Sequence, residues 1–304
     1  MLMKNKGALI LILSIVAILL ACVIFIIVWR VQVCSERFIT HQRLQNLKPL
    51  EFNFTGDGDV LSQPMIISYA LWGGEPCYNY GMLENALTVR KYYKNATVYA
   101  FVDVESVLPE VIEELNNIDY VKVIPSVGAG KMTWRFAPFF VEPEIPVLCR
   151  DCDSQIGERE ANAVREWLEG DADFHLMRDH PAGHWALIMG GMFGARGGIL
   201  RQFREKFVNS KWTGAWNEDQ EFLEEVVYPH IKKDACIHDE YWGRESHSRP
   251  FPSKGKSGEY VGEITCGDYP ETSIILGETN LGDGRSRLEE YQIDPICHFG
   301  LLMS

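Results

Sequence analysis

The chain has 304 residues, of which 46% are hydrophobic, 12% aromatic and 23% charged, with 29 basic against 42 acidic side chains. Those proportions describe a folded chain with a real core and exclude disordered, collagen-like and low-complexity classes. A formal charge of -13 and a pI near 5.1 argue against nucleic acid, because binding along phosphates needs a basic stripe that releases counterions. Small molecules, metal ions and neutral surfaces remain as expected partners.

The first element is apolar. Gly7 to Trp29 is 23 consecutive residues without a charge, with Ser14 as the one hydroxyl. As a helix it reaches roughly 34 Å, enough for a hydrocarbon core of about 30 Å. A cleaved signal peptide has a shorter apolar region, about 7 to 15 residues. The Leu-Leu-Ala before Cys22 resembles a lipoprotein box, yet seven more apolar residues follow it. We therefore expect residues 1–6 as a short cytosolic tail, 7–29 as an uncleaved membrane anchor, 30–62 as a polar stem, and 63–304 as one folded domain. Basic residues flank the span on both sides, so the positive-inside rule does not orient it. The sequons at Asn53 and Asn95 suit a lumenal body, hence a single-pass type II protein of the Golgi or endoplasmic reticulum. Seven cysteines lie beyond the span. Their spacing suggests neither a disulfide framework nor a zinc ribbon, and their odd number leaves at least one thiol unpaired within a monomer.

From residue 63 onward short apolar runs alternate with amphipathic stretches. The pattern predicts strands at 65–72, 97–102, 120–124, 145–149 and 174–177, and helices at 78–93, 108–116, 131–141 and 158–169. Strands alternating with such helices imply an α/β fold: a mostly parallel sheet covered on both faces, with ligands beyond the carboxyl ends of the strands. Function is therefore sought just after each strand.

Asp-x-Asp occurs at 57/59, 151/153 and 171/173, so the tripeptide alone carries little. Only Asp151-Cys152-Asp153 follows an apolar strand in the middle of the α/β region. Residues i and i+2 of an extended backbone face one side, so both carboxylates can reach one hard cation. Two carboxylates completed by water and phosphate oxygens suit Mg²⁺ or Mn²⁺, and the bland alternative is a solvated acidic turn. Cys149 and Cys152 form a C-x-x-C that reads as strand packing rather than redox chemistry. His238 offers an imidazole after a short apolar stretch, which suits Mn²⁺ better than Mg²⁺. The i,i+4 pair His180 and His184 is broken by Pro181 and Gly183, which argues against a dedicated zinc site. Arg178, Asp179 and His180 end a strand, where polar groups can grip a hydroxylated ligand. The glycines of Gly190-Gly-Met-Phe-Gly194 allow close backbone approach. Asn217 is a plausible N-cap for a helix whose first turn holds Asp219 and Gln220, and that turn can project into a cleft.

Taken in order, Ser68–Gly73 with Tyr78–Asn85, then Met132–Phe136, Arg150–Ser154, Arg159-Glu160, Met177–Pro181, Gly190–Gly194, Glu218–Gln220 and His238-Asp239 resemble the nucleotide-sugar glycosyltransferases of the GT-A fold. The nearest pattern is a family 8-like or capsular-polysaccharide-type domain with a DxD motif. The resemblance implies that Asp151, Asp153 and His238 hold Mn²⁺ or Mg²⁺ against a nucleotide-diphosphate sugar. It implies donor binding by Tyr69, Leu71, Trp72, Asp103, Arg135, Asp151, Cys152 and Asp153. Arg178, Asp179, His180 and Gly191 would meet the donor sugar or the acceptor, a glycan, glycolipid or glycoprotein. Asp219 would act as base or stabilise positive charge at the sugar carbon, with Gln220 beside it. Family 8 similarity would imply retention of configuration. Cys152 at the centre of the acidic motif and Gln155 after its Ser depart from the pattern, and neither removes a ligand. Two other functions fit the same residues: a GT-A-like protein that binds a sugar nucleotide or glycan without turnover, and a metal-dependent hydrolase or nucleotidyltransferase.

Overall fold

The structure is a computed structural model that describes residues 16, 18, 20–25, 58–141, 145–181, 183–255 and 259–265. The anchor expected at 7–29 and the stem at 30–62 lie largely outside the described residues, as does the tail from 266. No helix among the described residues is long and apolar enough to cross a membrane.

Among the described residues seven strands form one sheet: β1 Met65–Leu71, β2 Ala96–Val102, β3 Val121–Pro125, β4 Pro146–Cys149, β5 Phe174–Arg178, β6 Phe193–Arg196 and β7 Cys236–Asp239. Their spatial order is β3-β2-β1-β4-β6-β5-β7. Strands β1 to β4 pair in parallel, and β5 pairs in parallel with β7. Only β6 runs antiparallel, between β4 and β5. This mixed α/β, mostly parallel sheet is consistent with a Rossmann-like fold. All seven residues of β1 are buried, as a strand covered on both faces requires.

Helices cover both faces. On one lie α1 (Pro76–Thr88), α2 (Pro109–Asn117) and α3 (Glu158–Glu169), whose Met82, Val111, Val164 and Trp167 pack on Ile67, Val98 and Leu148. Proline at the first position opens α1 and α2, where its missing N–H costs nothing. The other face carries α4 (Arg204–Asn209), α5 (Glu218–Phe222), α6 (Tyr228–Ile231) and the segment Lys131–Phe140, with Phe136, Phe139, Phe207 and Tyr228 in its core.

Three expectations change. The helix expected at 131–141 is wound as a 3-10 segment with Pro138 inside it, and proline cannot donate to an α-helical ladder. Strand β6 was not expected, because Phe-Gly-Ala-Arg is short and carries a glycine. Gly194 is nonetheless required there, since a Cβ would lie 2.8 Å from Leu148 and 3.3 Å from Trp167. Cys77, in α1, is held in a disulfide, while Cys149, Cys152 and Cys236 are free thiols. At least one pair of cysteines is therefore bridged, a link that the wide spacing did not reveal.

Candidate functional site

The chain runs from β1 outward to β2 and β3, then returns to place β4 on the other side of β1. Such a reversal leaves a crevice at the carboxyl ends of the two strands, where open α/β sheets bind ligands. Asp151, Cys152 and Asp153 follow β4 immediately, at this reversal.

Arg135 organises the site. Ser68 Oγ donates to the Arg135 carbonyl at 2.7 Å and the Cys149 thiol donates to it at 3.3 Å, tying the 3-10 segment to β1 and β4. The guanidinium then forks: Nη1 bonds the Arg150 carbonyl at 3.2 Å and pairs with Asp151, while Nη2 donates to Asp219 at 2.8 Å. Burial disfavours the charged guanidinium, but Asp151 and Asp219 outweigh it and raise its pKa. Above this cluster passes the Gly190-Gly191 turn. A Cβ on Gly190 would sit 2.6 Å from Asp219 Oδ2 and 2.9 Å from Arg135 Nη2, and one on Gly191 would overlap the Asp151 carboxylate. Both positions therefore demand glycine for close approach rather than for backbone angle. Gln220 Oε1 accepts from the Gly190 N–H at 3.5 Å.

Asp153 is buried, and burial together with neighbouring Asp151 pushes its carboxyl up to about 7. Arg135 pairs with Asp151 rather than with Asp153. Two adjacent carboxylates, one of them desolvated, offer hard oxygen donors that suit Mg²⁺ or Mn²⁺.

Along the same sheet edge lies a cleft of ≈ 570 Å³ lined by Trp72, Asp103, Val127, Lys131, Met132 and Thr213 among others. It collects the residues that follow β1, β2 and β3. Asp103 accepts from Lys131 Nζ at 2.8 Å. Burial acts to raise its pKa, but Lys131 and Ser106 hold it below the usual value.

The structure thus brings Asp151, Asp153, Arg135, Asp219, Gln220 and Gly191 into one cluster, with Trp72 and Asp103 in the adjoining cleft. Other expected residues are placed elsewhere. Tyr69 and Leu71 are core side chains of β1 packed toward α1 and α3, and Cys152 is buried with its thiol donating to the Ala70 carbonyl at 3.3 Å. Arg178 is fully buried, donating to the Leu187 carbonyl and ion-paired with Asp239 and Glu245. Asp179 takes a two-bond fork from Arg159 at 2.7 Å and accepts from the Val261 N–H. Both are committed to ion pairs that tie loops to the sheet. His180 packs against Tyr260, its Nδ1 accepting from the Gly183 N–H.

His238 is also elsewhere. Strands β6 and β5 separate β7 from β4, about 14 Å at the usual strand spacing. Its ring lies on the α3 face, bonded to His175 at 2.9 Å and facing Glu166 at 3.4 Å. It does not join Asp151 and Asp153. Asn217 takes a left-handed conformation (φ 71°) and makes no side-chain cap; its Oδ1 accepts from Gln220 instead.

Sequence reasoning missed the anchoring roles of Ser68 and Lys131. The signal for the first was a small polar residue inside the apolar strand MIISYAL. Arg150 and Glu160 form a buried pair at 2.7 Å behind the acidic motif, so that part of the pattern is architectural. Residues 249–255 and 259–265 are irregular. They bridge to His238, then run beside Ser154, where the Thr265 N–H donates to the Asp153 carbonyl at 2.8 Å.

No protein-family model and no curated protein matches the chain. Among solved structures it is similar to the crystal structure of a glycosyltransferase involved in the glycosylation of the major capsid of PBCV-1. The two share 13% identity over 58% of this chain and 81% of that one, with a TM-score of 0.37, a likeness too slight to carry an argument about activity.

Proposed function

We propose that the chain is a GT-A-type glycosyltransferase that takes a sugar from a nucleotide-diphosphate sugar in a reaction dependent on Mn²⁺ or Mg²⁺. One observation carries the reading: the Asp151–Asp153 pair lies at the strand-order reversal, with Arg135 forked between Asp151 and Asp219 under a two-glycine turn. Asp151 and Asp153 would hold the cation, which supplies charge neutralisation on the departing diphosphate. The base and ribose would occupy the cleft against Trp72, with Asp103 and Lys131 at its floor. Arg135, charged at any working pH, would hold the Asp151 and Asp219 carboxylates in place through its fork and offset part of their negative charge beside the diphosphate. Gly190 and Gly191 let the sugar approach the cluster closely. Asp219 Oδ1 is buried and without a partner; we assign to it the acceptor proton or the positive charge that grows at the sugar carbon.

The apolar run of residues 7–29, the sequon at Asn95 and the disulfide at Cys77 support a membrane-anchored protein with its body in an oxidising lumen. We extend the proposal to a glycan, glycolipid or glycoprotein as the acceptor.

The test is nucleoside diphosphate release by the full chain in detergent, with Mn²⁺ and a panel of nucleotide sugars. Metal-dependent release from one donor, abolished in Asp153→Asn, is the expected result. Phosphate or pyrophosphate as the product would identify a hydrolase or nucleotidyltransferase instead, and donor binding without turnover across an acceptor panel would identify a binding protein.

A further inference from the structure

We propose that His175, Cys236 and His238 form a binding site for one zinc-class transition-metal ion, separate from the carboxylate pair. The sheet builds this cluster. Strands β5 and β7 pair in parallel with His175 opposite Cys236 and Met177 opposite His238. Alternation along β7 puts Cys236 and His238 on the same face, the one covered by α3. One donor atom from each of the three residues lies within 4.8 Å of the others, and all three residues are buried.

Both rings are held in place. His175 stacks on Trp167 of α3, with ring centroids 5.3 Å apart and planes 11° from parallel. Gly194 on the neighbouring strand leaves room for that stack, since a Cβ there would press on Trp167. His238 turns Nε2 toward Glu166 at 3.4 Å, and Glu166 is itself held by Arg249 at 2.6 Å. A carboxylate on the outer nitrogen of a histidine fixes which ring nitrogen faces inward, the usual support of a metal-binding imidazole. The inward nitrogen is Nδ1, which lies 2.9 Å from His175 Nε2 and 4.0 Å from the Cys236 sulfur. A tetrahedral zinc ion requires about 3.3 Å between nitrogens and about 3.6 Å from nitrogen to sulfur, given its bond lengths. Small rotations about the side-chain bonds connect the two arrangements.

The donor set selects the ion. One thiolate and two imidazoles favour zinc-class metals and disfavour Mg²⁺ and Mn²⁺, which take oxygen ligands. The two sites are thus chemically distinct as well as about 14 Å apart by strand spacing. Three protein donors leave a fourth position for water. The alternative occupant of this space is no ion at all, with His175 and His238 sharing a plain hydrogen bond.

The experiment uses the full chain, purified in detergent, stripped with a chelator and then loaded with Zn²⁺ or Co²⁺. We expect one equivalent of zinc per chain, and with Co²⁺ a thiolate-to-metal charge-transfer absorption. That band disappears in Cys236→Ser and persists in Asp153→Asn. X-ray absorption at the zinc edge on the wild-type chain needs no variant, and should show one sulfur and two imidazole nitrogens. A folded, stripped chain that takes up no zinc and gives no charge-transfer band overturns the proposal in favour of the hydrogen-bonded pair, and so does a zinc shell made of oxygen only.

Discussion

Gly191→Ala separates the site from the fold. A methyl group at this position would overlap the nearer Asp151 carboxylate oxygen and the carboxyl carbon, and lie 2.9 Å from the other oxygen. Spinning the carboxylate about its own bond gives no relief, so the side chain must swing away by more than 1 Å. Its half-exposed position lets it turn into solvent, which limits the loss of stability to a partly exposed ion pair, about 1 kcal/mol. That corresponds to a fall in Tm of about 2–4 °C for a body of this size. The chemistry has no such escape, because a displacement of about 1 Å at a reacting centre costs on the order of 100-fold in rate. We expect nucleoside diphosphate release to drop about 100-fold and Mn²⁺ affinity to fall with it, while circular dichroism melts near the wild-type temperature. Release and Mn²⁺ affinity both within threefold of wild type would refute the reasoning, since Asp151 would then have no need of its observed place.

Arg135→Ala leaves Asp219 buried without its cation, and breaking such a pair costs about 3–5 kcal/mol. Urea unfolding should show it, and Arg135→Lys should recover less than half, because one ammonium cannot fork to both carboxylates. Gly81→Ala drives a methyl onto the Cys152 carbonyl oxygen, a backbone atom unable to step aside. A loss of about 1–3 kcal/mol is expected, again by urea unfolding. His184 is held neutral in the folded chain, its pKa lowered to about 4 by burial first and by His180 second. A histidine with a depressed folded pKa contributes stability that is complete above its unfolded value of about 6.5 and lost as pH falls toward 4. Wild type should therefore lose stability between pH 6.5 and 4 more steeply than His184→Asn; parallel pH profiles would contradict this.

Elements with a strong local signal are legible in the amino-acid order itself. Helix α3 at 158–169 matches its expected bounds, and strands β1 to β5 lie within two residues of theirs, because burial on a strand or helix imprints a period that neighbouring residues carry. The pairing of Asp151 with Asp153 follows from the same local rule, an extended backbone leaving the end of an apolar strand. Gly191 is also visible as part of a glycine-rich turn, though not what it approaches.

What the tertiary structure alone decided is everything set by strand order. Arg135 and Asp219 are 84 residues apart, and no spacing rule announces their bond. His238 looked suited to the acidic motif, yet two intervening strands carry it to the far edge, where His175 and Cys236 become its neighbours. Arg178 and Asp179 ended a strand as expected, but ion pairs from distant Arg159, Asp239 and Glu245 claimed them for the scaffold. Local sequence sets which face a side chain takes within its element. Which elements lie side by side depends on burying all the apolar faces at once, and that is a property of the whole chain.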